Sequence, residues 1–234
     1  MGSSRLPRKT LASLGGRAVI DWVIDRCAAA QGVDTVIVAT TDLEGDDVLV
    51  EHLGDRDVTV IRGSSDDVLD RFRVAAEAVS SPVLMRVTAD CPFVAPEILE
   101  AALGTLELTG ADYVATGLDG RFPRGLDAEA FRRATLLEVA SEATDPEERE
   151  HVTPFIYRRQ GRFACRPIDP PDWAARPDLR FTLDEPADLE LASAVVDALG
   201  GDVHLPARSI IEHLSEHPEL VAINADVDHR TVEF

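Results

Sequence analysis

Among the 23 basic residues of this 234-residue chain, Lys9 is the only lysine, and every other one is arginine. It closes the run Met1-Gly2-Ser3-Ser4-Arg5-Leu6-Pro7-Arg8-Lys9, which opens on glycine and serine. An ammonium is a compact point charge that reaches between phosphate oxygens, whereas a guanidinium is a planar fork that keeps its proton. Beside small residues whose backbone N–H groups can face an anion, such a lysine suits a phosphate cradle. The bland alternative is a solvated surface group left as lysine by chance. Two aspartates could complete the chemistry. Asp90 and Asp184 each follow an apolar run and precede a proline, in Asp90-Cys91-Pro92 and Asp184-Glu185-Pro186. Carboxylates at the ends of neighbouring strands can hold Mg²⁺, which takes oxygen ligands and bridges to phosphates. Helix capping accounts for the same residues, and for Asp184 the two readings stand level.

Such residues need a scaffold. Apolar, β-rich runs occur at 35–40, 58–61, 83–87, 113–115, 163–166 and 179–183. Helical periods lie between them, at about 18–30, 45–53, 66–79, 96–108, 134–143, 146–159, 186–199 and 206–215. Short strands alternating with helices predict an α/β fold, with a mostly parallel sheet covered by helices on both faces. One domain spans 1–234, with a small lobe at about 113–170 where Gly117, Gly120, Pro123 and Gly125 break the rhythm. In open α/β sheets ligands bind beyond the carboxyl ends of the strands. The residues there are polar: Thr40, Thr41 and Asp42; Arg62 to Asp66, with Asp66 expected to cap the next helix; Thr88 to Asp90; and Asp184.

Composition removes other classes. The net charge of -20 repels nucleic acid and anionic lipid, so neither is an expected partner. A hydrophobic fraction of 45% supports a packed core. The cysteines Cys27, Cys91 and Cys165 are far apart, with no zinc or disulfide spacing. His213 and His217 precede Pro218 and read as a helix end rather than a metal pair. Without a secretory or spanning apolar run, a soluble, cytoplasmic protein is expected.

Seven blocks occur in order: GSSRLPRK at 2–9, VATTD at 38–42, RGSSDDVLDRF at 62–72, RVTADCPFVAPE at 86–97, FPRGLDAEAF at 122–131, EREHVTPFI at 148–156 and FTLDEPADLEL at 181–191. Together they resemble the cytidylyltransferase family that includes the CMP-N-acetylneuraminate and CMP-KDO synthetases, with the greatest likeness to its spore-coat-polysaccharide branch. The resemblance implies a Rossmann-like fold and a Mg²⁺-dependent transfer from CTP to a sugar or sugar acid, releasing pyrophosphate for surface glycan synthesis. It also implies a homodimer. By motif, Ser3, Ser4, Arg5 and Lys9 would form the triphosphate loop, with Arg5, Lys9 and Asp90 catalytic. Ala39, Thr41 and Asp42 would lie beside the base, and Arg62, Gly63 and Asp66 would close the nucleotide pocket. Asp90 and Asp184 match the metal-binding aspartates, while Arg86, Asp127, Glu129 and His151 fall where the acceptor should approach.

Several positions depart from the family pattern. Arg8 stands where relatives carry glycine, Ala95 where many have a carboxylate, and Arg124 where an aspartate is common. Relatives also begin with an apolar strand feeding the phosphate loop. This chain starts at the methionine before that loop, and a longer native protein carrying that strand is expected. Two other functions compete: an inactive nucleotide-binding module, against which Lys9, Asp90 and Asp184 argue, and a polyol-phosphate cytidylyltransferase, which would want more basic residues on the acceptor side.

Overall fold

The computed structural model describes residues 5–227. Its strands are β1 (Ser13–Leu14), β2 (Arg17–Ala18), β3 (Ile37–Thr41), β4 (Thr59–Gly63), β5 (Val83–Arg86), β6 (Tyr113–Ala115), β7 (Glu129–Arg132) and β8 (Cys165–Pro167). Its helices are α1 (Val19–Ala29), α2 (Asp47–Leu53), α3 (Val68–Glu77), α4 (Pro96–Thr109), α5 (Arg133–Glu142), α6 (Pro146–His151), α7 (Pro154–Tyr157), α8 (Pro186–Ala198), α9 (Ala207–Glu216) and α10 (Pro218–Val221). Five of these helices, α4, α6, α7, α8 and α10, begin on a proline, whose missing N–H would have had no helical partner anyway.

The strands form a β1–β2 hairpin, a parallel β3–β4 pair and a mixed sheet of order β5-β7-β6-β8. In that sheet β7 runs antiparallel to both neighbours, whereas β6 and β8 are parallel. Strand β7 lies in the glycine-broken stretch where no strand was expected. Four residues with two apolar ones carry little periodic signal, and their strand character comes from pairing on both edges. The expected strand at 179–183 is extended chain instead. It holds one parallel bridge, Arg124↔Arg180, because its neighbours are loops rather than strands. The strand expected ahead of Met1 lies outside the described residues.

Alternation along the strands creates a core on each face. Val114 and Ala130, paired across β6 and β7, face a cluster built with α1, α4, α8 and α9. Tyr113, Ala115 and Phe131 face the opposite cluster, with α3, α5 and α7. Helix α1 serves two cores at once. Val19, Trp22 and Val23 enter the first, while Ile20 and Ile24, one turn apart, meet Leu49 and Leu53 of α2 beneath β3 and β4.

Helical periodicity at 146–159 resolves into two short helices. Val152 between them is fully buried with φ 72°, a left-handed conformation that β-branched residues resist. Pro154 then restarts the helix and cannot donate into the preceding turn. Asp67, not Asp66, caps α3: its side chain accepts from the Asp70 N–H at 2.9 Å, while Asp66 is exposed. Among the described residues no helix is long and apolar enough to cross a membrane.

Candidate active site

Lys9 lies in a short 3₁₀ turn, Lys9–Leu11, that follows the hinge residue Arg8. Arg8 adopts φ 56°, a left-handed conformation, which explains why glycine suits this position. The turn carries the ammonium to the loop after β5 and to the end of the extended segment 179–183. Lys9 Nζ donates to Asp90 Oδ2 at 2.5 Å and to Asp184 Oδ1 at 2.9 Å. Burial works against the ammonium, but the two carboxylates outweigh it and hold its pKa above the ordinary lysine value.

Residues 94 positions apart in sequence meet here because the chain is stitched behind them. Leu183 N donates to the Asp90 carbonyl at 2.9 Å. On the other flank Phe181 N donates to the Arg124 carbonyl at 2.7 Å. Gly125 makes this approach sterically feasible: a Cβ there would lie 2.6 Å from the backbone of Phe181 and Thr182. Arg180 fixes the far side of Asp184. Its Nη2 donates to Asp184 Oδ2 at 2.6 Å and its Nε to Asp188 Oδ1 at 3.0 Å. Asp188 in turn accepts from the N–H groups of Asp184 and Glu185, both at 2.9 Å, and from Asn224 at 2.9 Å. Asp184 is therefore not a helix cap, since Glu185 and Asp188 form the capping box of α8. Asp90 caps nothing either; the N-cap of α4 is Ala95. Burial pushes the Asp184 carboxyl up, but Lys9 and Arg180 outweigh it and leave its pKa below the usual range.

Arg5 completes the group, donating to Glu185 at 3.0 Å and lying 3.8 Å from Asp184. Ser3 and Ser4 lie outside the described residues. Four carboxylates (Asp90, Asp184, Glu185, Asp188) thus face three cations (Lys9, Arg5, Arg180), a formal excess of one negative charge. The donor set fits Mg²⁺. Two carboxylates converge on one point, where the Lys9 ammonium stands in for a cation. No group of three or more His, Cys, Asp or Glu among the described residues could hold a metal. Mg²⁺ commonly takes one or two carboxylates and fills its octahedron with waters and phosphates. A divalent ion would also reverse the excess charge that repels a triphosphate.

The ends of β3 and β4 lie alongside. Ala89, next to Asp90, and Leu11, near Lys9, both pack on the cluster beneath those strands. Ala39 is opposite Ile61 in the parallel ladder, and Thr41 is opposite Gly63. Asp42 N donates to the Gly63 carbonyl at 2.9 Å, which joins the two strand ends. Arg62 ties the loop down instead of projecting freely, donating to the carbonyls of Thr41 and Leu43 at 2.9 Å each and pairing with Asp47. Sequence reasoning missed Asp46, which is 3% exposed. It accepts from the Thr40 and Thr41 hydroxyls at 2.6 Å and from Thr41 N at 3.0 Å. Burial opposes its charge, but these donors prevail and hold its pKa far below the usual range. Arg71 was also missed; it anchors the carbonyl of Ser64.

On the β5-β7-β6 surface, Arg86 and Glu129 are paired in register and joined by a short ion pair, and the Tyr113 hydroxyl donates to Glu129 at 3.1 Å. Burial disfavours the Arg86 charge, yet Glu129 and Tyr113 outweigh it and raise its pKa. Asp127 accepts from Gly125 N at 2.8 Å, and burial, helped by Glu129 and Asp90, raises its carboxyl pKa. His151 ends α6 beside Glu147 and forms no hydrogen bond or ion pair with the Lys9 group among the described residues. The Cys91 thiol is fully buried, and desolvation raises its pKa well above normal, which leaves it unsuited to nucleophilic work.

The same fold occurs in a cytidylyltransferase from Leptospira borgpetersenii, at a TM-score of 0.89 and 25% identity over 98% of this chain and 95% of that one. By sequence the chain is 31% identical to the spore coat polysaccharide biosynthesis protein SpsF of Bacillus subtilis, over 94% of this chain and 92% of the relative. It is 30% identical to the 3-deoxy-manno-octulosonate cytidylyltransferase of Anaeromyxobacter sp. (strain K), over 68% of this chain and 63% of that protein. The fold is that of a nucleotidyltransferase enzyme. The cytidylyltransferase family model matches residues 1–205, and the chain belongs to that family.

Proposed function

We propose that this enzyme transfers a cytidylyl group from CTP to a hydroxyl of a sugar or sugar acid, with Mg²⁺, for surface glycan synthesis. The observation that carries the reading is the meeting of Asp90 and Asp184 within 2.9 Å of the Lys9 nitrogen beyond the carboxyl end of β5, the side on which α/β folds bind ligands. Family membership and the names of its relatives support the nucleotide and the acceptor class.

In the reaction the acceptor oxygen forms a bond to the α-phosphorus as the bond to the bridging oxygen breaks. Pyrophosphate leaves with the electron pair, and the acceptor hydroxyl proton passes to solvent. Lys9 and Arg5 would offset negative charge on the departing pyrophosphate. Asp46 and Arg62 would keep the β3 and β4 ends shaped for the base. Mg²⁺, held by Asp90 and Asp184, would supply charge neutralisation and orientation of the phosphate oxygens.

Pyrophosphate release from each of the four nucleoside triphosphates, measured with a panel of sugars and sugar acids, tests this reading. Turnover with CTP and a sugar-class acceptor is expected. Nucleotide binding with no release across the panel would overturn it in favour of an inactive binding module.

A further inference from the structure

We propose that Lys9 is an internal counter-ion which holds the metal position in the nucleotide-free protein and yields it only when a triphosphate draws the ammonium away. Free divalent cation is thereby disfavoured until nucleotide arrives. The inference rests on the nucleotidyl-transfer reading of the site and concerns the order in which its two charged ligands assemble.

The partners of the two aspartates differ in how firmly each is held. Asp184 Oδ2 is bound to Arg180, whose side chain is 4% exposed and is itself gripped by Asp188. The backbone of Asp90 is tied to Leu183. The Asp184 carboxylate is therefore set in place by a group that has no reason to move, while for Asp90 the main chain is fixed and the carboxylate's other partner is the buried Cys91 thiol, at 3.6 Å from Oδ1. The facing oxygens, Asp90 Oδ2 and Asp184 Oδ1, are held by the ammonium, with Arg5 more distant at 3.8 Å from Asp184 Oδ1. Lys9 is the replaceable member. Its side chain is 17% exposed, it has a flexible four-carbon stem, and it rides on a turn entered through the left-handed Arg8.

Two facing carboxylates repel unless a cation lies between them, so removing the ammonium without replacement is unfavourable. A lone divalent ion must evict a bound unit charge that has no better anion to meet. A triphosphate provides that anion, so each ligand lowers the cost of binding the other, and the coupling is reciprocal. Residue choice agrees. An arginine would grip two carboxylates with a planar fork and release them poorly, and this chain uses arginine at every basic position but this one.

Mn²⁺ binding, followed by electron paramagnetic resonance and calorimetry, tests the idea without turnover. Wild-type protein, Lys9→Gln and Lys9→Arg are titrated alone and with an α,β-methylene CTP analogue. Without nucleotide, Lys9→Gln is expected to bind Mn²⁺ about tenfold or more tightly than wild type, because the competing charge is gone. The analogue is expected to tighten Mn²⁺ binding about tenfold or more in wild type and much less in either variant. Equal or weaker nucleotide-free binding by Lys9→Gln overturns the proposal. Should that variant not fold, a nucleotide–metal coupling in Lys9→Arg equal to wild type overturns it as well. Intact coupling in a protein that transfers no cytidylyl group would sink the proposed reaction and leave the counter-ion role standing.

Discussion

Lys9 and Arg86 are both cations held by carboxylates near strand ends, yet their settings divide their roles. Lys9 bridges Asp90 and Asp184 from a short turn, while Asp184 is also held by Arg180 and the Asp90 backbone by Leu183. Arg86 sits within β5, opposite Glu129 in the β5–β7 ladder, and the Tyr113 hydroxyl occupies the other Glu129 oxygen. The first cation can be exchanged for another without moving the backbone that carries its partners. The second is part of the sheet, and moving it would unpair groups on three strands. Charge type alone does not separate the two; backbone attachment and the satisfaction of each partner do.

The largest effect separating the regions should come from Lys9→Ala. Loss of a charge directed at the transferring phosphates is expected to lower kcat/KM about 10³-fold, with little change in the circular dichroism spectrum. A variant retaining wild-type turnover would remove Lys9 from the mechanism. Glu129→Ala should do the reverse, acting first on stability. It strands the Arg86 guanidinium, whose side chain is 16% exposed, and is expected to cost about 3 kcal/mol by denaturant titration. A loss of a few tenths would mean that Arg86 finds another partner or solvent, and that the pair is no more fixed than Lys9.

Asp127 sharpens the contrast through pH. Its folded pKa is raised above the unfolded value, so the neutral acid is favoured in the fold. That contribution is fully present below the unfolded pKa and lost as pH rises through the folded one. Asp127→Asn, which can still accept from Gly125, should therefore be more stable than wild type at pH 7, with the gain closing in acid. A gain that persists unchanged below the unfolded carboxylate range would rule out ionisation as its cause. The smallest effect is expected from Arg8→Gly. Glycine relieves the left-handed strain at φ 56° but adds freedom to the unfolded chain, so stability should shift by about 1 kcal/mol or less. A large loss would show that the Arg8 side chain itself supports the loop.

Much of the scaffold was legible in the chain. Periodic apolar residues marked α1, α4 and α8, with a proline opening the last two, and the β-rich runs at β3, β4 and β5 were followed by polar residues of the candidate site. The likeness of the ordered motifs brought Lys9, Asp90 and Asp184 together before any contact was visible. Other parts left no local trace. Arg180 and Asp188 carry no distinguishing signal in the sequence, and their roles emerge only from the bonds that join them to Asp184. Arg26 is equally silent. It lies in an amphipathic helix, but it is 1% exposed and clamps the carbonyls of Val94, Val203 and Leu205. Strand β7 escaped notice because four residues carry too short a period, and Asp46 because one more aspartate in an acidic chain draws no attention.

The sequence by itself determined the α/β alternation, the family and the types of groups available for phosphate chemistry, since these depend on periodicity and on motifs read within short windows. Tertiary structure decided which cations remain exchangeable and which are locked. That distinction depends on what lies behind each carboxylate: Arg180 and Asp188 are near Asp184 in the chain, but Leu183 reaches the Asp90 backbone and Asn224 reaches Asp188 only once the core has packed.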